Sequence, residues 1–101
     1  MEDIKQKRLA AYGEATTEVQ ELYGNPVLGD VLFSTFGTLG KGEDLYGEFV
    51  DIFGDVILGF VKPEAVHSLL IAKLALSPES ASAAIGRVVA GIGNPLLSIP
   101  A

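Results

Sequence analysis

Proline residues, and the residues just before them, constrain the fold of this chain more than any other feature. Prolines follow Asn25, Lys62, Ser77 and Asn94. Proline suits the first position of a helix because its missing N–H has no intrahelical partner there. Asn and Ser favour the same end, since their side-chain oxygens accept a hydrogen bond from a free backbone N–H. We therefore expect helix boundaries at these points.

Apolar residues recur at helical spacing in the segments between these boundaries. The pattern predicts an all-α fold, a compact bundle of about five short helices followed by a packed apolar C-terminal tail. The expected helices span residues 2–23, 26–37, 43–60, 63–76 and 78–90. The length of 101 residues predicts a single all-helical domain over 1–101.

The segment 43–60 has the clearest division into an apolar and an acidic face, and we expect it to lie at the centre of the bundle. Its apolar face consists of Leu45, Phe49, Phe53, Val56 and Phe60. The opposite face carries Asp44, Glu48, Asp51 and Asp55, here named the acidic strip. We expect this strip to lie in water, and it is a hypothetical docking face for a basic partner. A cation is the alternative, but the second helix of carboxylates or the Glu-x-x-His element of bundle metal sites is missing.

The apolar content is high for a chain this short. Hydrophobic residues make up 49% of the sequence, and the segment 91–101 has no charged side chain. A small domain has little interior in which to hide so much apolar surface, so we expect part of it to meet a protein partner or a second copy. The hypothetical interface consists of Val88, Val89, Ile92, Leu96, Leu97 and Ile99.

The residues that catalysis needs are not grouped in the sequence. There is no cysteine and a single histidine, His67. Its neighbour Ser68 lies on a different side of the helix, and Glu64 offers only a helix-face contact. The glycine-rich loop 37–42 contains Lys41 but lacks the first glycine and the Ser/Thr of a P-loop. We therefore expect no enzyme activity, no catalytic residue, no metal site and no cofactor.

These observations favour a non-enzymatic interaction or assembly protein, a small structural subunit of a homo-oligomer or of a larger complex. One alternative is a helix-turn-helix DNA-binding regulator that uses residues 64–90. Nucleic acid is an unfavourable partner, however, because the net charge is −6. In the second helix of this motif, residues 78–90, Arg87 is the single cation. Another alternative is a lipid or membrane-surface binding module, although acidity disfavours anionic bilayers. No signal peptide or transmembrane segment is recognisable, so the cytoplasm is the default expectation.

Overall fold

Helices account for most of the chain. The computed structural model describes residues 4–100, and within this range it contains six α-helices and no strand. The helices are α1 (Ile4–Glu14), α2 (Thr17–Tyr23), α3 (Pro26–Gly37), α4 (Tyr46–Leu58), α5 (Val66–Leu74) and α6 (Pro78–Ile92). Short 3₁₀ helices, Glu43–Leu45 and Pro63–Ala65, lead into α4 and α5. The all-α prediction is confirmed. Residues 2 and 3 of the predicted first helix, and residue 101 of the tail, lie outside the described residues.

Capping side chains begin two of these helices where the prolines predict them. The Oδ1 atom of Asn25 accepts a hydrogen bond from the Val27 N–H at 2.9 Å. The Oγ atom of Ser77 accepts one from the Ser80 N–H at 3.1 Å. Both bonds satisfy a backbone donor that has no partner inside its own helix. The prolines that follow these caps stand at the start of α3 and α6.

The prediction of one continuous helix over 2–23 was wrong, because Thr16 divides it. The backbone of Thr16 is extended, with φ −66° and ψ 161°, and its side chain caps α2 by accepting from the Val19 N–H. A threonine at the start of a helix satisfies a free donor, whereas in the middle of a helix it does not. The side chain of Gln20 donates to the Tyr12 carbonyl at 2.8 Å and ties α2 back to α1.

The end of α4 also differs from the prediction. The helix ends at Leu58 because Gly59 adopts a left-handed conformation, with φ 88°, which glycine tolerates at little cost. The chain therefore turns before Phe60, whose side chain is 45% exposed. The expectation that Phe60 belongs to the apolar face of a helix over 43–60 is corrected accordingly.

The core is built around α4, as the sequence predicts. Phe49 and Phe53 are fully buried, with ring centroids 5.1 Å apart, and Phe36 of α3 packs against Phe49 at 5.5 Å. α4 contacts α1, α2, α3 and α5, while α6 contacts α3 and α5. The helices α3 and α5 therefore connect α4 to α6.

The C-terminal tail packs inside its own chain. Leu97 is 1% exposed and Ile99 is 7% exposed, and both belong to the same core cluster as Phe49. The backbone turns at Asn94, whose carbonyl accepts from the Leu97 N–H at 2.9 Å. The packed apolar tail is therefore confirmed, and it covers the bundle that carries it.

Two neighbouring leucines test this packing. Replacing Leu97 by Ala should lower the free energy of unfolding by about 2–5 kcal/mol, because it leaves a cavity in the core. Leu96→Ala is the matched control, since Leu96 is 44% exposed, and it should cost less than about 1 kcal/mol. Urea denaturation followed by circular dichroism measures both. Equal and small losses from the two variants would contradict the packing of the tail.

Candidate functional site

An ion pair attaches α1 to the rest of the bundle. No residue of α1 is buried. The Nε and Nη2 atoms of Arg8 donate to the two carboxylate oxygens of Asp55 at 2.7 and 2.8 Å, and its Nη1 atom lies 3.5 Å from Asp51. The hydrogen bonds to Asp55 raise the pKa of Arg8, so the guanidinium keeps its charge. A bidentate pair of this kind fixes both the position and the orientation of its partners.

The four members of the acidic strip have different surroundings. Asp55 is mostly covered by Arg8, and its side chain is 14% exposed. Asp51 is 54% exposed. Glu48 lies 3.6 Å from the Lys73 ammonium at the surface, and Asp44 is exposed in the 3₁₀ helix before α4. The expectation of a strip open to water is therefore corrected for Asp55. Across residues 4–100 no group of His, Cys, Asp or Glu side chains is arranged to hold a metal ion.

An apolar cleft opens beside this ion pair. Its volume is about 250 Å³. Its apolar walls come from α2, α3 and α4, and they consist of Tyr23, Leu28, Leu32, Tyr46 and Val50. The Arg8–Asp55 pair and Asp51 also line it. We name this feature the Tyr46 cleft.

Two glycines line the Tyr46 cleft and have different surroundings. Gly29 of α3 lines the Tyr46 cleft, and a Cβ atom at that position would meet no atom within 4 Å. Gly54 of α4 also lines the cleft, but there a Cβ atom would stand 3.2 Å from Cε2 of Tyr23. Glycine at 54 thus lets the tyrosine ring lie close to α4, while glycine at 29 leaves a gap unfilled.

An exposed phenylalanine stands next to the cleft. The side chain of Phe33 is 68% exposed. Its ring makes an edge contact with Tyr46, with centroids 5.8 Å apart and planes at 85°. Edge-to-face contacts are the favoured geometry of aromatic pairs. The contact places Phe33 beside the apolar wall that Tyr46 forms, which extends the apolar surface beyond the cleft.

A second cleft adjoins the first on the side of α1. It has a volume of about 560 Å³, and it shares Arg8, Tyr23 and Asp51 with the Tyr46 cleft. Leu9 and Tyr12 form its outer wall, and Lys5 also lines it. We name it the Leu9 cleft. Among residues 4–100, Leu9 at 71% and Phe33 at 68% are the most exposed large apolar side chains.

The hypothetical interface of α6 and the tail is mostly covered. Val88, Leu97 and Ile99 are buried within the chain, so in this fold their side chains are not presented to a partner. Val89 and Ile92 are partly buried and pack against the core. Only Leu96 of the set is exposed. The apolar excess of the last third is therefore satisfied largely within the chain, because Leu97 and Ile99 belong to its core cluster.

The side chain of His67 makes contacts that the sequence does not predict. Its Nε2 atom lies 3.1 Å from the Pro78 carbonyl and 3.2 Å from the Ser82 hydroxyl. Nε2 donates to the Pro78 carbonyl in one tautomer of the ring and accepts from the Ser82 hydroxyl in the other. The contact joins α5 to α6.

The other candidate features have structural roles in this fold. Lys41 in the glycine-rich loop donates to the Ala75 carbonyl at 3.5 Å and ties the loop to the end of α5.

The exposed residues of α6 include Glu79, Ala83 and a single cation, Arg87, so its surface adds no support to DNA binding. None of the helices in the described part of the chain has the length and apolar character needed to cross a bilayer.

Comparison with known proteins adds no assignment. No family model, no curated protein and no solved structure matches this chain. The function therefore has to be inferred from the residues around the two clefts.

The ion pair at Arg8 can be tested against a weaker one. Arg8→Met should lower the free energy of unfolding by about 1–3 kcal/mol, since it removes charged hydrogen bonds and leaves Asp55 without its partner. Lys73→Met breaks an ion pair between half-exposed side chains and should change stability by about 0.5 kcal/mol or less. Urea denaturation measures both variants. An Arg8 variant as stable as the Lys73 variant would show that α1 is held by something else.

Proposed function

We propose that this chain is a non-enzymatic interaction protein, a small subunit that assembles with another protein chain through the Tyr46 cleft and Phe33. The observation that supports this most is the position of Phe33. It is an aromatic side chain 68% exposed to water, held at the edge of an open apolar cleft by its contact with Tyr46.

Exposure of this residue has a cost that a partner would remove. Complete burial of a phenylalanine side chain is worth about 1.5–3 kcal/mol relative to exposure. Protein interfaces gain much of their energy from a few aromatic or apolar anchors that fit into pockets at the centre of the contact. Phe33 offers such an anchor to the partner, and the neighbouring cleft accepts one from it.

The walls of the cleft are already in place. Leu28 and Leu32 are buried, and Tyr46 contacts Phe36 as well as Phe33. A surface whose side chains are fixed by the core loses little conformational entropy when it binds. Leu9, in the adjoining Leu9 cleft, extends the apolar surface toward the area of about 800 Å² per partner that stable complexes bury.

The charge of the chain favours a different partner over a second copy. The net charge is −6, so two copies repel each other as they approach. A chain of neutral or positive charge meets no such barrier. Of the two forms of the assembly hypothesis, the subunit of a larger complex is therefore the better supported.

Site-specific photo-crosslinking in cells of the source organism tests the proposal. The photoreactive amino acid p-benzoylphenylalanine replaces Phe33, and in a matched variant it replaces Ala72, which is exposed on α5 and lines neither cleft. Irradiation of the Phe33 variant should give a discrete adduct of higher mass, because the label lies in the proposed contact. The Ala72 variant should not give this adduct.

The mass of the adduct identifies the form of the assembly. An adduct of twice the chain mass indicates a homo-oligomer, and another discrete mass indicates a different partner. Absence of any adduct at position 33, or the same products from both positions, would contradict the proposal.

A further inference from the structure

The contents of the Tyr46 cleft indicate what kind of partner segment it accepts. This inference rests on the proposed function. We propose that the cleft binds an apolar side chain of the partner, and that a lysine or arginine next to that side chain pairs with Asp51.

The size of the cleft favours a side chain over a whole small molecule. Pockets for drug-sized ligands and cofactors have volumes of roughly 300–1,000 Å³. The Tyr46 cleft, at about 250 Å³, lies below that range. Its apolar walls and the adjacent ring of Phe33 suit one aromatic or aliphatic side chain, with the rest of the partner lying across α3 and α4.

The charges at the end of the cleft favour a cation. Arg8 is bound to Asp55 through both carboxylate oxygens, so these two groups neutralise each other. Asp51 keeps 54% of its side chain exposed, and the Nη1 atom of Arg8 lies 3.5 Å from it. One cation against two carboxylates leaves a negative charge in the Tyr46 cleft, and the exposed oxygen surface of Asp51 is where a second cation can bind.

The other side of Arg8 is less suitable for a positive group. Lys5 lines the Leu9 cleft but not the Tyr46 cleft, so an incoming cation is repelled less from the side of Tyr46. At longer range the net charge of −6 attracts a basic segment and speeds its approach. Local and overall charge thus favour the same partner chemistry.

Three capped dipeptides that differ only in charge test this inference. The probes are acetyl-Phe-Lys-amide, acetyl-Phe-Gln-amide and acetyl-Phe-Glu-amide, titrated into the ¹⁵N-labelled full chain and followed by NMR. The phenyl group should shift the amide signals of Gly29, Tyr46 and Val50. The lysine probe should bind about two- to fivefold more tightly than the glutamine probe, as expected for one partly exposed ion pair, and the glutamate probe most weakly.

Two variants identify the carboxylate responsible. Asp51→Asn should abolish the preference for the lysine probe over the glutamine probe. Glu48→Gln is the matched control, because Glu48 is 51% exposed on the same helix but lies outside the Tyr46 cleft, and it should keep the preference. Equal affinities for all three probes, signal shifts elsewhere in the chain, or a preference that survives Asp51→Asn would overturn the inference.

The two proposals fail in different experiments. If position 33 crosslinks to a partner but the dipeptides show no charge preference, the partner chemistry inferred here is wrong and the proposed function stands. If the lysine preference is found but position 33 gives no adduct, the proposed function fails although the cleft binds the probe.

Discussion

The burial of Phe49 and Phe53 determines the arrangement of the other helices. Both rings are fully buried, and they turn one face of α4 toward the core. The opposite face then carries Asp51 and Asp55, because helical spacing separates the two sets. A carboxylate that is drawn close to the core needs a partner, and Arg8 provides it at 2.7 Å. The position of α1, and the clefts beside it, thus follow from how α4 is buried.

The C-terminal tail is packed against its own bundle, and this packing changes the interpretation of the high apolar content. A charge-free segment at the end of a short chain suggests a contact with another molecule, yet Leu97 and Ile99 are buried within the chain itself. The apolar surface that is still uncovered includes Phe33 and Leu9, at the two clefts that adjoin Arg8. Apolar surface available to a partner therefore remains, but it lies on α1, α3 and α4.

The sequence predicts the fold better than it predicts the site. Caps at Asn25 and Ser77 and the apolar face of α4 are local signals, and each appears in the structure as expected. The sequence does not predict the break at Thr16, because apolar residues at helical spacing continue on both sides of this capping residue. The site depends on contacts between residues far apart, such as Arg8 with Asp55, which no local pattern encodes. Phe33 carried one usable signal, since helical spacing places it beside the buried residues Leu28, Leu32 and Phe36 of α3 and not among them.

Amide hydrogen exchange on the unmodified chain tests the central claim most directly, namely that the tail belongs to the core whereas α1 is attached through its surface. The amide of Leu97, which donates to the Asn94 carbonyl, should be protected to nearly the same degree as the amides of α4. The amides of α1 should exchange faster, through a local opening that leaves the core intact. Rapid exchange at Leu97 together with strong protection throughout α1 would contradict the account.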